Sequence, residues 1–406
     1  MTIEHTKEIR NSLTLNFQAS ELNEIREKQI QSLSCRIFKD EKIYSANALG
    51  EVDSKTLEET ALNNPFGAID YNYDYQGNEK VSTEGGKTLS ETELLEISKS
   101  FSDKIKLEMP NFLFSGKVEY TDTHFEMNNS QGGDYKKSLK SLDGFLILKR
   151  KGSPNIMDSV MPYSSHTGKV DLAGCDLFFE MHKKFDDIVT IEKGKYPVMF
   201  VMDQGFLAKF QEGLDPTFYH NNACYYAGKL DQKIFHEKVN LVDTRFNEEK
   251  GLFHRFDDEG NTLAEKLPVI ENGVFKNIFY DNAAAKKYSK ESTGNGRREY
   301  NTSIRSRSYH LDFEATGETT SEVFEKYPKV IVAILAGGGD TSSNGDYSSP
   351  VQVAFMVENG KVAGRLENLN VNNSIDKMMG DDFVAVTNDQ LVPINKNPFV
   401  CLMNAF

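Results

Sequence analysis

The sequence predicts an α+β protein of at least two domains. Three observations carry that expectation. The chain has 406 residues, more than one domain of about 100–200 residues usually holds. The segment from Ser90 to Ile105 has a helical period with its own cap. From about residue 238 onward the pattern is that of strands and turns. The boundary is expected near residues 186–196. It divides an N-terminal α/β domain, 1–190, from a mostly β C-terminal domain, 191–406.

The elements follow in order. Residues 1–28 are polar and mixed in charge, with no apolar leader core, so no secretory signal is expected. Cys35 to Leu49 reads as a strand pair turning at Lys39-Asp40-Glu41-Lys42, and Ser54 to Asn63 as a short helix. Asp70 to Gly86, rich in Tyr, Asn and Gly, reads as a loop. Ser90 and Glu93 then form a capping box, in which hydroxyl and carboxylate each satisfy an orphan backbone N–H. Leu94, Ile97, Phe101 and Ile105 recur behind it at helical spacing. Val118 and Tyr120 alternate with polar residues as in a strand, Asn128 to Gly133 is a turn, and Phe145 to Leu148 is a short buried run. Leu172 to Phe185 reads as helical. Beyond the boundary, 198–202 is strand-like, and 203–213 and 216–230 are expected helices. Lys329 to Leu335 and Val351 to Val357 are apolar strands, separated by the glycine-rich Gly337 to Gly339 and by Asn344-Gly345-Asp346.

Composition narrows the function. An apolar fraction of 38% with 27% charged residues excludes a disordered chain, and no apolar run approaches a membrane span of about 18 residues. The cytoplasm is the expected compartment. A net charge of −14 repels phosphate backbones, so nucleic acid is not an expected partner. Lys149-Arg150-Lys151 and Arg297-Arg298 are basic but read as solvated turns. Cys35, Cys175, Cys224 and Cys401 lie far apart, which supports neither a zinc ribbon nor a disulfide framework.

No complete catalytic motif stands out. His236-Glu237 opens a zinc-peptidase pattern, but Asn240 and Leu241 occupy the places of the second histidine. His220 and Cys224 are four apart on an expected helix, which gives two ligands and not a site. There is no Gly-x-Ser-x-Gly elbow. Gly337-Gly338-Gly339-Asp340 follows a strand but lacks the phosphate-loop lysine. It reads as a turn, or as backbone that approaches something closely, such as an extended peptide. The acidic turn Phe256-Asp257-Asp258-Glu259-Gly260 reads equally as a cation site or as a solvated turn. Ser292-Thr293-Gly294-Asn295 alone is a loop.

In order, these pieces form a pattern. The acidic turn precedes Val269-Ile270-Glu271-Asn272-Gly273-Val274, Tyr280-Asp281, Ala285 and Ser292 to Asn295. Gly228-Lys229-Leu230, Gly345-Asp346-Tyr347-Ser348, Val357 to Val362 and Asn372 to Met378 extend the series, and Asn129 to Gly132 adds a turn in the first half. The whole resembles the TldD/PmbA family of metallopeptidase-related proteins, also called modulators of DNA gyrase. The resemblance implies an incomplete-barrel-like C-terminal domain. It further implies a complex in which a zinc-bearing TldD subunit, with a His-Glu-x-x-x-His helix, pairs with a metal-free TldE (PmbA) subunit to degrade or mature unfolded peptides. In that register His220, Asn221 and Tyr225 stand where His, Glu and His would. An amide cannot take a proton from zinc-bound water at neutral pH. The family's later cysteine ligand has no counterpart between Met378 and Asp389, and Cys401 comes too late to take its place.

The resemblance is therefore to the metal-free type. It implies no cofactor of the chain's own, zinc in a TldD-like partner, and unfolded or extended peptides as the bound species. Asp257, Asp258, Glu259, Gly260, Ser292, Thr293, Gly294 and Asn295 are the expected peptide contacts, with a homodimer when the chain is alone. Two other readings stay open: an autonomous hydrolase with a divergent metal site or nucleophile, and a homodimeric peptide-binding module.

Overall fold

The polar first 39 residues form two of the longest strands in the protein, Thr2–Gln18 and Glu21–Lys39. Before Cys35 periodicity gives no sign of them, because several side chains turned inward are polar. Thr2, Glu4 and Thr6 are buried, and the Glu4 carboxylate meets the Arg36 guanidinium at 2.6 Å. The computed structural model describes residues 1–64, 68–70, 77–170, 172–202, 205–394 and 396–406. Part of the loop expected at 70–86 and the start of the helix expected at 203–213 lie outside these residues.

The first sheet runs in the order Ile69–Asp70, Lys42–Leu49, Glu21–Lys39, Thr2–Gln18, Phe112–Asn129, Asp134–Arg150, Lys80–Gly85. Ser159–Ser165 pairs with the far half of 134–150. The expected turn at 39–42 is present, with Asp40 and Glu41 both at positive φ (52° and 58°), as a two-residue hairpin loop of matching twist requires. The helix Glu91–Glu108 carries the expected capping box, Ser90 N–H donating to Glu93 at 2.9 Å and Glu93 N–H to the Ser90 hydroxyl at 3.2 Å. Its buried Leu94, Phe101 and Ile105 each contribute about 1.5–3 kcal/mol.

The second sheet contains a closed ring. Lys329–Ala336 pairs with Gly194–Phe200, that strand with Phe399–Ala405, then Leu369–Ser374, then Asp346–Glu358, which returns to 329–336. The expected α+β class and barrel-like C-terminal half are therefore present, and the ring is closed where an incomplete barrel was expected. The apolar run at 329–335 is explained by burial on both faces. Val330, Val332 and Ile334 enter a core shared with Leu15, Phe101 and Leu146 of the first sheet and its helix, while Ile331 and Ala333 enter a second core with Phe206 and Phe399.

Several expectations change. Phe145 is 46% exposed, because 145–148 alternates within a strand rather than forming a buried run. The helix expected over 172–185 is only Asp176–Lys183. The one expected over 216–230 ends at His220, after which Asn222 takes a positive φ of 54° and the chain continues in turns. Arg297-Arg298 is half-buried against the first sheet rather than solvated. No helix among the described residues is long and apolar enough to cross a membrane.

Candidate functional site

The acidic turn is built inward. Asp257 is 1% exposed, and its carboxylate accepts from the Glu259 and Asn261 backbone N–H groups (2.9 and 2.8 Å), the Asn261 side chain (2.8 Å) and the Gly296 N–H (3.3 Å). Burial pushes this carboxyl up to about 6 against those hydrogen bonds. Asp258 accepts from the Arg298 N–H at 2.8 Å, and its carbonyl accepts from Arg36 at 2.8 Å. Buried Glu259 accepts from the Asn282 N–H at 2.7 Å, at the start of the helix Asn282–Lys287. Gly260 sits at φ 83°, and its carbonyl accepts from the Tyr135 hydroxyl at 2.9 Å.

The Ser292 to Asn295 loop is fastened to the same place. The Tyr280 N–H donates to the Thr293 hydroxyl at 2.7 Å, and the Ser292 hydroxyl donates to the Tyr280 carbonyl at 3.2 Å. Asn295 is fully buried. It donates to Asp243 at 3.0 Å and accepts from Arg245 at 2.8 Å, and Asp243 also accepts from the Tyr309 and His310 N–H groups at 2.7 and 2.9 Å. Sequence reasoning missed Asp243 and Arg245. The signal was the charge alternation inside the short strand Leu241–Thr244 and the residue after it.

Turn and loop thus meet, through Asp257 and Gly296. Gly260, Ser292, Thr293 and Gly294 line one cleft of about 830 Å³, together with Arg245, Tyr280 and Lys290. Asp258 and Glu259 face two other cavities.

The positions of the zinc motif lie beside this cleft but do not converge. His220 closes the helix Pro216–His220; its Nε2 is 2.8 Å from the Tyr280 hydroxyl and its ring stacks on Tyr288 at 4.0 Å. Burial and Lys290 both push its pKa down. Asn221 is the helix cap. Tyr225 turns elsewhere: a side chain added at Gly345 would touch its ring at 3.4 Å, and its hydroxyl is buried without a hydrogen-bond partner. Burial pushes that phenol, and the Cys224 thiol, upward. Cys224 lies beyond the helix end, so it is not one helical turn from His220 on a shared face. These donors do not match the three converging nitrogen, sulfur or carboxylate ligands that zinc takes. Among the described residues no group of three His, Cys, Asp or Glu side chains is placed to hold a metal ion.

A family model for the PmbA/TldA metallopeptidase C-terminal domain matches residues 193–401, just over half of the chain. The chain belongs to the PmbA/TldD family. The metalloprotease TldD homolog of Buchnera aphidicola subsp. Acyrthosiphon pisum is 26% identical over 181 residues, 42% of this chain and 37% of that protein. The zinc metalloprotease TldD homolog of Saccharolobus solfataricus is 27% identical over 120 residues, 29% of this chain and 27% of that protein. The matches thus span well under half the length of these curated relatives. Solved structures agree over the whole chain. TldE from Thermococcus kodakarensis superposes with a TM-score of 0.81 at 19% identity, covering 100% of this chain and 95% of that one. A protein named as a modulator of a DNA gyrase, from Thermotoga maritima MSB8, superposes at 0.79 with 17% identity, covering 100% and 96%. At such identities the structural likeness speaks to the fold.

Proposed function

We propose that this PmbA/TldD-family protein is a metal-free, TldE-like subunit that pairs with a zinc-bearing TldD-like relative and holds extended peptide for it. The observation that carries the reading is the fate of the zinc-motif positions. His220 is engaged by Tyr280 and Tyr288, Asn221 has no proton-accepting carboxylate, and Tyr225 turns toward Gly345. In this reading zinc belongs to the partner alone, and the complex works in the cytoplasm. The same reading divides the chain into 1–190 and 191–406.

Gly260 and Ser292 to Gly294 form the peptide-facing wall of the 830 Å³ cleft. Asp257, Asp258, Glu259 and Asn295 hold that wall in place. Extended peptide would be read there by main-chain hydrogen bonds, which carry little sequence preference.

The test mixes the purified chain with a zinc-bearing family member. Co-elution on gel filtration and a changed rate of peptide cleavage are expected. Failure to co-elute, with cleavage unchanged, would overturn the pairing. Stoichiometric zinc in the isolated chain, with peptidase activity lost on His220→Ala, would overturn the metal-free role.

A further inference from the structure

A second, smaller cavity of about 150 Å³ lies between the first sheet and the C-terminal loops. Its floor is a row of cross-strand neighbours. Ser32 pairs with Glu8, Glu8 with Phe125, and Phe125 with Lys137, so all four side chains stand on one sheet face. Its roof is His254, Phe256, Asp258, Arg297 and Tyr309.

Two cations there are in no salt bridge among the described residues. The Lys137 ammonium lies over the Phe125 ring at 4.8 Å and the Phe256 ring at 5.8 Å, and makes no ion pair. Arg297 donates to the Ser308 carbonyl at 3.0 Å and lies over Tyr309 at 4.6 Å, and likewise makes none. Two further polar groups are buried without a hydrogen-bond partner: Nδ1 of His254 and the hydroxyl of Tyr309. A desolvated cation and unmet buried donors are each costly. Here the four residues that carry these groups line one small space.

We propose that this cavity binds a single carboxylate group, with Lys137, Arg297, the Nδ1–H tautomer of His254 and the Tyr309 hydroxyl as its donors. A carboxylate has about four acceptor sites, one for each of these four groups. Asp258 and Glu8 also border the cavity, so a second negative charge on the ligand would be repelled, and a phosphate dianion fits poorly. Burial lowers the basicity of Lys137, and Asp258 and Glu8 restore part of it. A bound anion would restore more.

The carboxylate can come from a small free acid or from the C-terminus of a peptide. The peptide source rests on the peptide-holding role proposed above; the carboxylate site does not. Calorimetric titration of the full chain separates them, with three probes: acetate, acetyl-trialanine with a free C-terminus, and the same peptide as its amide. Binding of the free-acid peptide, about tenfold or more above its amide, assigns the site to peptide ends. Binding of acetate without the peptide assigns it to free acids and leaves the peptide-holding role unaided. Lys137→Met should abolish either signal, and Lys137→Arg should keep part of it. Arg297→Gln, with folding followed by circular dichroism, supplies the same comparison if Lys137→Met does not fold. The proposal is overturned if neither carboxylate binds, if acid and amide bind equally, or if folded Lys137→Met and Arg297→Gln bind as the parent does.

Discussion

Asp312 is 5% exposed on the strand Leu311–Phe313, and neither of its carboxylate oxygens has a hydrogen-bond partner. Two residues back, on the same side of the chain, His310 leaves Nε2 unpartnered. Burial pushes Asp312 up to about 6, with Lys396 and Lys250 drawing it partly back, and pushes His310 down to about 4. The two act in opposite senses. For Asp312 the folded pKa exceeds the unfolded one, so stability falls as pH rises from about 4 to 6. For His310 the folded pKa is the lower, so stability falls as pH drops from about 6.5 to 4. Asp312→Asn isolates the first effect. It should stabilise the protein by about 1–3 kcal/mol at pH 7.5 and by much less at pH 4. Urea unfolding at both pH values checks this; an unchanged midpoint at pH 7.5 would mean that the carboxylate is paired in solution. Nothing in the sequence marked Asp312 as buried, because a charged residue in a short strand reads as a solvent-facing position.

Among the elements, the hairpin of Thr2–Gln18 and Glu21–Lys39 reaches the acidic turn through one buried side chain. Arg36 pairs with fully buried Glu4 and reaches across to the Asp258 carbonyl, and Arg298 stands 4.0 Å from the same glutamate. Removing one member of a buried pair leaves the other charge uncompensated. Arg36→Met should therefore cost about 3–5 kcal/mol, and adding Glu4→Gln should recover part of that loss. Chemical denaturation of the two variants measures the coupling; a double variant no better than the single one would show that Arg36 acts through packing alone. Elements with strong local signals were legible: the capping box at Ser90, the turn at Asp40-Glu41, the apolar strand near 330. The helix expected over 216–230 was not, because its apolar residues Tyr219 and Tyr226 pack into the core from a helical turn and a loop respectively, and a period alone cannot tell these apart.

At the scale of the whole molecule, the two sheets share one core, in which Leu15, Phe101 and Leu146 meet Val332, Phe355 and Val400. Hydrogen bonds cross as well, from Thr83 to the Phe253 carbonyl at 3.1 Å and from Tyr135 to that of Gly260 at 2.9 Å. Burial of this kind couples the unfolding of the parts it joins. Scanning calorimetry should show one transition, and Phe101→Ala should lower all of it by the equivalent of about 3–5 kcal/mol. Two resolved transitions, with only one moved by Phe101→Ala, would show that the 1–190 and 191–406 units unfold independently. The sequence by itself determined the α+β class, the positions of the elements with strong local signals, and, through the order of several short motifs, the family. These depend on local periodicity and on residue order, both of which a linear chain displays. Only the tertiary structure decided what the acidic turn does. Asp257 and Glu259 read equally as ligands or as turn residues until backbone N–H groups 2, 4, 23 and 39 residues away were seen to occupy them. Lys137 and Arg297, neither in a salt bridge, likewise became a site only when two strands more than a hundred residues apart were brought to one cavity. A charge shows its type in the sequence. Its partner is set by the fold.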